Sequence, residues 1–166
     1  MKLWQILYES IASPNIQVVP AEYSDEAFYD SDGYSIWEQA FAIASNSGIR
    51  IASNKELVFV AMDDATVVGG VWSARYPDDD QDAEVYDFDM AVDKNYRGQV
   101  GIFLKLMEAA LDEYYDLLEY NPRTYVRVWV VNPRLIGVLE RRYGFELESQ
   151  HEGGSAHMTF YGKRGR

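Results

Sequence analysis

Apolar positions along the chain follow two spacings, one typical of helices and the other of strands. Apolar residues at every third or fourth position predict amphipathic helices over residues 3–12, 34–47, 103–117 and 133–142. Short runs rich in β-branched and aromatic residues predict strands over residues 57–62, 67–74, 84–92, 125–131, 145–150 and 156–161. Residues 15–33 combine a brief β-branched run at 16–19 with an acidic, aromatic stretch, which suits an excursion around a cleft.

Turn-forming residues mark where these elements begin and end. The link at residues 63–66 has hairpin length, so the strands on either side of it should pair antiparallel. Asn132 and Pro133 suit the N-cap and the first position of a helix, and Gly144 suits the stop of that helix. The succession of helices and strands predicts an α/β chain of the α+β kind. With 166 residues, the chain has the length of one domain.

Composition and charge narrow the class of protein. The chain has no cysteine and only two histidines, so no disulfide, thiolate nucleophile or metal site is expected. A reducing, cytoplasmic location fits this composition, and the apolar run near the N-terminus is too short for a signal peptide or a membrane span. The formal net charge of −12 argues against nucleic acid as a ligand and favours a cationic partner, although acidity also serves solubility alone.

Candidate chemistry begins in the predicted strand at residues 84–92 and continues into the loop after it. The glycine-bearing sequence at 93–101 precedes a helix, whose first turn has unpaired N–H groups that can receive a phosphate. Arg97 would add a positive charge at that place. An ordinary strand-to-helix turn has a similar sequence, so the loop indicates a phosphate site only in combination with the elements around it.

The order of these pieces resembles the GNAT family of N-acetyltransferases, whose core runs strand, Arg-Gly-rich loop, helix, strand, helix and a closing pair of strands. The resemblance covers about residues 57–161 of a single domain at 1–166, and it leaves residues 1–50 as a variable segment on the substrate side. It rests on four pieces in order, Met90-Ala91-Val92, Tyr96-Arg97-Gly98, Val131-Asn132 and Tyr143-Gly144-Phe145. The resemblance implies a mixed, mostly antiparallel sheet of six to seven strands with flanking helices, splayed between the strands at 84–92 and 125–131.

The resemblance also implies that acetyl-coenzyme A is the co-substrate. Its pantetheine arm would pair with the backbone of Met90, Ala91 and Val92, and Asn132 would contact the same arm. Its pyrophosphate would lie on the loop formed by Arg97, Gly98, Gln99, Val100, Gly101 and Ile102. The usual loop of the family has the pattern Arg-Gly-x-Gly-x-Gly or Ala, and this chain has one glycine fewer.

Acetyl transfer to an amine also needs a base for the ammonium proton and an acid for the departing thiolate. Asp87 and Asp89 share one face of the splayed strand and are candidates for the base, while Glu84 lies on the other face. A structural role suits both aspartates as well as a catalytic role does. It suits Asp89 better than Asp87, because Asp89 adjoins the cofactor strand. Members of the family commonly have a tyrosine as the acid where this chain has Glu140, which leaves Tyr143 as the nearest phenol.

Three hypotheses for the function follow. The first is an acyl-CoA-dependent N-acetyltransferase that acts on a primary amine of a cationic small molecule or peptide. Attack would be direct and within a ternary complex, because no cysteine can carry an acyl group. The second is a catalytically inactive binding protein that keeps the fold and coenzyme A binding, and the third is an acidic interaction protein that mimics nucleic acid. A homodimer is compatible with each, and neither nucleic acid nor a membrane is an expected partner.

Several conspicuous residues suit ordinary roles. His157 alternates with apolar residues in a terminal strand, as a surface or core residue does. The aspartate-rich run at 78–82 is typical of a solvated loop, or else it attracts a polyamine, an aminoglycoside, a lysine side chain or a protein N-terminus. The basic tail at 163–166 is expected to fray.

Overall fold

The computed structural model describes residues 15–21, 35–97 and 100–162. The predicted helix at 3–12, Gly98, Gln99 and the basic tail lie outside these residues. The strands are β1 (Ile16–Pro20), β2 (Glu56–Asp63), β3 (Thr66–Asp78), β4 (Ala83–Val92), β5 (Thr124–Val130), β6 (Glu146–Gln150) and β7 (Ala156–Phe160). The helices are α1 (Ile36–Asn46), α2 (Val100–Tyr120) and the short α3 (Ile136–Val138), which a 3₁₀ turn (Pro133–Leu135) precedes and a π turn (Leu139–Tyr143) follows. None of the helices in the described ranges combines the length and apolar character needed to cross a bilayer.

The strands form one mixed sheet in the order β1-β2-β3-β4-β5-β7-β6. The pairs β1–β2, β5–β7 and β6–β7 are antiparallel, whereas β4 and β5 are parallel. Only two residues join β2 to its neighbour β3, a link that antiparallel strands allow and parallel strands do not. This sheet with its helices confirms the predicted α+β fold and sets the number of strands at seven.

The ladder between β4 and β5 ends before β4 does. It runs from the pair Glu84 and Thr124 to the pair Phe88 and Val128, and β4 then continues to Val92. A parallel ladder that stops while its strand goes on agrees with the predicted splay between these two strands.

Several boundaries differ from the sequence prediction, among them the following three. Within the segment predicted as an excursion at 15–33, Ile16–Pro20 is a regular strand, because it pairs along its length with β2 and buries Ile16, and residues 22–33 lie outside the described part of the chain. Strand β3 extends to Asp78, beyond the predicted end at 74, so part of the predicted aspartate loop is strand. Helix α1 begins at Ile36 rather than 34, because Ser35 accepts a hydrogen bond from the Glu38 N–H and Glu38 accepts one from the Ser35 N–H. This capping box fixes the start of the helix.

The chain divides into two compact units, one of residues 1–72 and 90–111 and the other of residues 73–89 and 112–166. In the first unit, α1 places its buried face on residues of β2 and β3. In the second unit, aromatic rings from several elements pack in a cluster with centroid distances of 5.3 to 6.4 Å. The rings are those of Tyr86, Phe88, Tyr114, Phe145 and Phe160.

Gly69 of β3 allows a close approach that a side chain would block. A Cβ at this position would lie 2.9 Å from the Ala91 carbonyl oxygen and 3.0 Å from Cδ1 of Leu106. Because the first of these atoms is backbone, we expect Gly69→Ala to lower the free energy of unfolding by about 1–3 kcal/mol. Gly137→Ala is the control, since its Cβ would meet only the mobile end of Arg141. Urea denaturation measures the free energy of unfolding of both variants, and an equal decrease in the two would contradict the prediction.

Candidate active site

The residues predicted to pair with the pantetheine arm lie at the C-terminal end of β4, in the first unit. Ala91 is buried, and Met90 and Val92 are half-buried. The carbonyl oxygen of Ala91 faces Gly69 of β3, so the neighbouring backbone approaches this part of β4 closely. The predicted residues are therefore extended backbone at the end of a strand, as the sequence predicted.

The loop after β4 is fixed by its own hydrogen bonds. The Asp93 N–H donates to the Val68 carbonyl oxygen at 2.8 Å, and the Tyr96 N–H donates to the Asp93 carbonyl oxygen at 2.9 Å. The Tyr96 hydroxyl donates to Asp63 at 2.9 Å, and this hydrogen bond is the main reason that the pKa of Tyr96 is raised. Helix α2 then begins at Val100.

The first turn of α2 contains three of the predicted pyrophosphate residues, Val100, Gly101 and Ile102. Backbone N–H groups in the first turn of a helix have no partner within the helix and lie at the positive end of its dipole. The replacement of a glycine by Val100 therefore leaves its backbone donor in a helical conformation.

Arg97 links the loop to two other elements of the first unit. Its Nε donates to the Val92 carbonyl oxygen at 3.2 Å, and one of its terminal nitrogens donates to the Ser47 hydroxyl oxygen at 2.7 Å. The Ser47 hydroxyl in turn donates to the Ile43 carbonyl oxygen of α1 at 2.6 Å. The guanidinium is exposed beside the predicted pyrophosphate loop, and two of its donors already hold the end of β4 and the end of α1.

The candidate bases fall on two faces of β4, in the second unit. Asp87 is half-buried, accepts a hydrogen bond from the Tyr76 hydroxyl at 3.3 Å and lies opposite Arg127 in the ladder with β5. Asp89 follows on the same face and is 7% exposed. Glu84 lies on the other face, where it accepts a hydrogen bond from the Asn121 side chain at 3.2 Å. The strand therefore places Asp87 and Asp89 together and holds Glu84 away from them.

Polar residues that the sequence prediction missed surround Asp87. Arg127 donates to the Tyr125 hydroxyl oxygen and to Glu148, both at 3.3 Å, and the Tyr125 hydroxyl donates to Asp78 at 2.7 Å. A cleft of about 570 Å³ lies beside this cluster, and neither Asp87 nor Tyr125 is part of its lining. Its lining is Tyr76, Pro77, Asp78, Asp79, Asp80, Gln81, Val85, Arg127 and Glu148. The aspartate-rich run therefore forms one wall of a cleft and is not only a solvated loop.

Both tyrosines of this cluster remain protonated at neutral pH. Burial, followed by the negative charge of Asp87, raises the pKa of Tyr76. Burial, followed by the hydrogen bond to Asp78, raises the pKa of Tyr125. Each phenol is therefore a hydrogen-bond donor to a carboxylate.

The two remaining predicted residues lie around the short helix α3. Asn132 caps the 3₁₀ turn, where its side-chain oxygen accepts a hydrogen bond from the Arg134 N–H at 3.1 Å. Tyr143 ends the π turn, half-buried, with the Arg142 guanidinium 5.7 Å from its ring centroid. Neither residue is among those that line the cleft.

His157 packs against Trp129, with 4.5 Å between the ring centroids. Burial lowers the pKa of His157 below its usual value of 6.5, so the folded state favours the neutral imidazole. This contribution to stability is complete above pH 6.5 and is lost as the pH falls through the lowered pKa.

We expect His157→Gln to lose less stability than the parent between pH 7.5 and 5, by under about 1 kcal/mol because the ring is partly solvated. Urea midpoints of parent and variant at the two pH values measure this difference, and parallel losses of stability in the two proteins would contradict the prediction.

The model of the acetyltransferase (GNAT) family matches residues 4–145, and the chain belongs to this family. No curated protein matches the chain in sequence.

Three solved structures illustrate the likeness in fold. The chain is similar to yncA from Salmonella typhimurium, solved with its cofactor acetyl-CoA, at 11% identity over 92% of this chain and 97% of that one, with a TM-score of 0.52. It is similar to Escherichia coli ElaA at 14% identity over 87% and 97% of the two chains, with a TM-score of 0.54. It is also similar to AtaTR bound with AcCoA, at 15% identity over 87% and 93%, with a TM-score of 0.54.

Proposed function

We propose that the chain is an N-acetyltransferase that moves an acetyl group from acetyl-coenzyme A to a primary amine by direct attack in a ternary complex. The observation that carries this proposal is the continuation of β4 beyond its ladder with β5, through Asp89 to Val92. A strand that has left its parallel neighbour offers backbone groups to an extended ligand. Asp87 precedes that stretch on the same strand.

The co-substrate would be held by backbone groups more than by side chains. The amide groups of the pantetheine arm would pair with the backbone of Met90–Val92, and Asn132 would contact the same arm. The pyrophosphate would receive N–H groups from the loop and first turn of α2, from Gly98 to Ile102, with Arg97 supplying positive charge. Support comes from membership of the GNAT family and from the acetyl-CoA named for the similar structures yncA and AtaTR.

In the proposed reaction, Asp87 takes a proton from the substrate ammonium group, directly or through water. The amine nitrogen then attacks the thioester carbonyl carbon, and backbone N–H groups stabilise the negative oxygen of the tetrahedral intermediate. The carbon–sulfur bond breaks as the intermediate collapses, coenzyme A leaves as the thiolate, and the second proton of the attacking nitrogen passes to that thiolate or to water to give the neutral amide. Because this thiol is acidic enough to leave as an anion, a strong acid is not required; Tyr143 is the candidate phenol if one is used.

Asp87 is preferred over the two other carboxylates of β4. Glu84 lies on the opposite face in a hydrogen bond with Asn121, which suits a structural role. Asp89 is buried and adjoins the cofactor segment, which also suits a structural role. Asp87 is not part of the cleft lining, but it is half-buried and accepts a hydrogen bond from Tyr76, which does line the cleft.

The acceptor amine is proposed to be cationic. The net charge of −12 steers cations towards the chain, and the wall formed by Asp78, Asp79 and Asp80 adds a local negative potential. Residues 1–50, as the variable part of the chain, would contribute to the choice of amine.

A second candidate is a binding protein that keeps the fold and coenzyme A binding but has lost turnover, which the altered loop and Glu140 in place of a tyrosine both permit. Isothermal titration with acetyl-coenzyme A, followed by a thiol-release assay, separates the two. The acceptor panel is spermidine, kanamycin, a lysine peptide with a blocked N-terminus and a peptide with a free N-terminus. Binding with amine-dependent thiol release supports the enzyme, binding without release from any amine supports the second candidate, and no binding at high micromolar ligand rules out both.

A further inference from the structure

We propose that Tyr76 is a positioning residue that fixes the carboxylate plane of Asp87, with the charge of Arg127 acting on the Tyr76 hydroxyl from the neighbouring strand. This inference rests on the proposed function, because it assigns Tyr76 a role in the proton transfer that Asp87 would perform. Tyr76, Asp87 and Arg127 all belong to the second unit.

The direction of the hydrogen bond between Tyr76 and Asp87 follows from its chemistry. An ionised carboxylate can only accept hydrogen bonds, and a phenol has one hydrogen to donate. At 3.3 Å, the Tyr76 hydroxyl therefore directs its single hydrogen to Oδ2 of Asp87. Fixing one oxygen sets the rotation of the whole carboxylate, so the direction of the second oxygen is also set. A base that must meet a proton at hydrogen-bond distance gains from this restriction.

Arg127 interacts with two tyrosines, each of which donates a hydrogen bond to an aspartate, and we call these two arrangements the Tyr125 branch and the Tyr76 branch. Through one, its guanidinium donates to the Tyr125 hydroxyl oxygen at 3.3 Å, and Tyr125 directs its own hydrogen to Asp78 at 2.7 Å. Through the other, its positive charge acts on Tyr76, which directs its hydrogen to Asp87. Arg127 is itself held by Glu148 and lies opposite Asp87 in the ladder. Each branch thus ends on one aspartate, and the Tyr76 branch ends on the proposed base.

The test compares loss of a hydroxyl from each branch. With acetyl-coenzyme A and the best acceptor of the four-amine panel, we expect Tyr76→Phe to lower kcat about tenfold. This is the size expected for losing a weak hydrogen bond to a charged group. KM and the Kd for acetyl-coenzyme A should stay within about twofold. In an Asp87→Asn background, Tyr76→Phe should have no further effect, because the carboxylate that it positions is absent.

Tyr125→Phe is the matched control, since it removes the same group from the other branch. Its effect on kcat should be smaller than that of Tyr76→Phe, and it should add to that of Asp87→Asn instead of disappearing. A parental kcat for Tyr76→Phe, with Asp87→Asn impaired, would overturn the inference and leave the proposed function intact. A parental kcat for Asp87→Asn would overturn both the inference and the choice of base.

The contact between Tyr76 and Asp87 can also be tested without an activity measurement. Because the charge of Asp87 helps to raise the pKa of Tyr76, Asp87→Asn should lower that pKa, which NMR of [¹³Cζ]tyrosine follows across a pH titration. The Tyr125 resonance is the internal control and should move less. An unchanged Tyr76 pKa would overturn the inference, whereas failure of acetyl-coenzyme A to bind would be a failure of the proposed function.

Discussion

Asp87→Asn is expected to lower kcat for acetyl transfer by about 10²–10⁴-fold, the usual contribution of a positioned general base. The carboxamide has nearly the same shape as the carboxylate and keeps an oxygen that can accept from Tyr76, but it cannot take the proton of an ammonium group. The Kd for acetyl-coenzyme A should not change. Steady-state thiol release measures kcat, and titration calorimetry measures Kd.

Glu84→Gln is the matched control for this experiment. It makes the same chemical change on the same strand, but on the opposite face, where the side chain is hydrogen-bonded to Asn121. We expect its kcat to remain within a few-fold of the parent. If Glu84→Gln lowered kcat as much as Asp87→Asn, proton abstraction could not be assigned to Asp87 in preference to Glu84. A parental kcat for Asp87→Asn would show that the base is another residue.

Gly98→Phe is expected to weaken acetyl-coenzyme A binding by about 100-fold, while the free energy of unfolding changes little. A bulky side chain in the loop would keep the pyrophosphate from the backbone N–H groups. The loss of one or two hydrogen bonds to a charged group, at about 1.5–3 kcal/mol each, accounts for that factor. Calorimetric titration and urea denaturation measure the two quantities.

Asn95→Phe is the control for the loop, because Asn95 is exposed and contributes its backbone N–H to Asp93. The same bulk is thereby added to the same loop at a position outside the predicted pyrophosphate residues. An unchanged Kd for Gly98→Phe, or an equal loss for Asn95→Phe, would contradict the proposed position of the pyrophosphate.

Local patterns predicted the elements of this fold well, because the interactions that define them are short in sequence. The Asn132 cap, the glycine stop at Gly144 and the two-residue link between β2 and β3 all depend on residues a few positions apart. The capping box of Ser35 and Glu38 was equally visible as a serine followed three residues later by a glutamate, and it would have placed the start of α1 correctly.

The surroundings of Asp87 could not be predicted in this way, because they depend on the register of strands that are distant in sequence. Tyr125 and Asp78 are separated by 47 positions and Arg127 and Glu148 by 21. Glu148 also lies at a bulge between Leu147 and Ser149 in the pairing of β6 with β7, where simple alternation does not give the face of a side chain. Arg127, the single charged residue of β5, was the available signal.

The π turn at Leu139–Tyr143 closes wider hydrogen-bonded rings than an α-helix does, so it fits an extra residue into the chain before Gly144. Counting back from Gly144 to find the residue equivalent to the tyrosine of the family assumes α-helical spacing throughout. Glu140 lies inside the turn, and the Gly144 N–H donates to the carbonyl oxygens of both Glu140 and Leu139, so the spacing before Gly144 is partly α-helical and partly that of a π turn. Removing one residue from the turn would restore α-helical spacing and rotate every side chain before it by about a quarter of a turn.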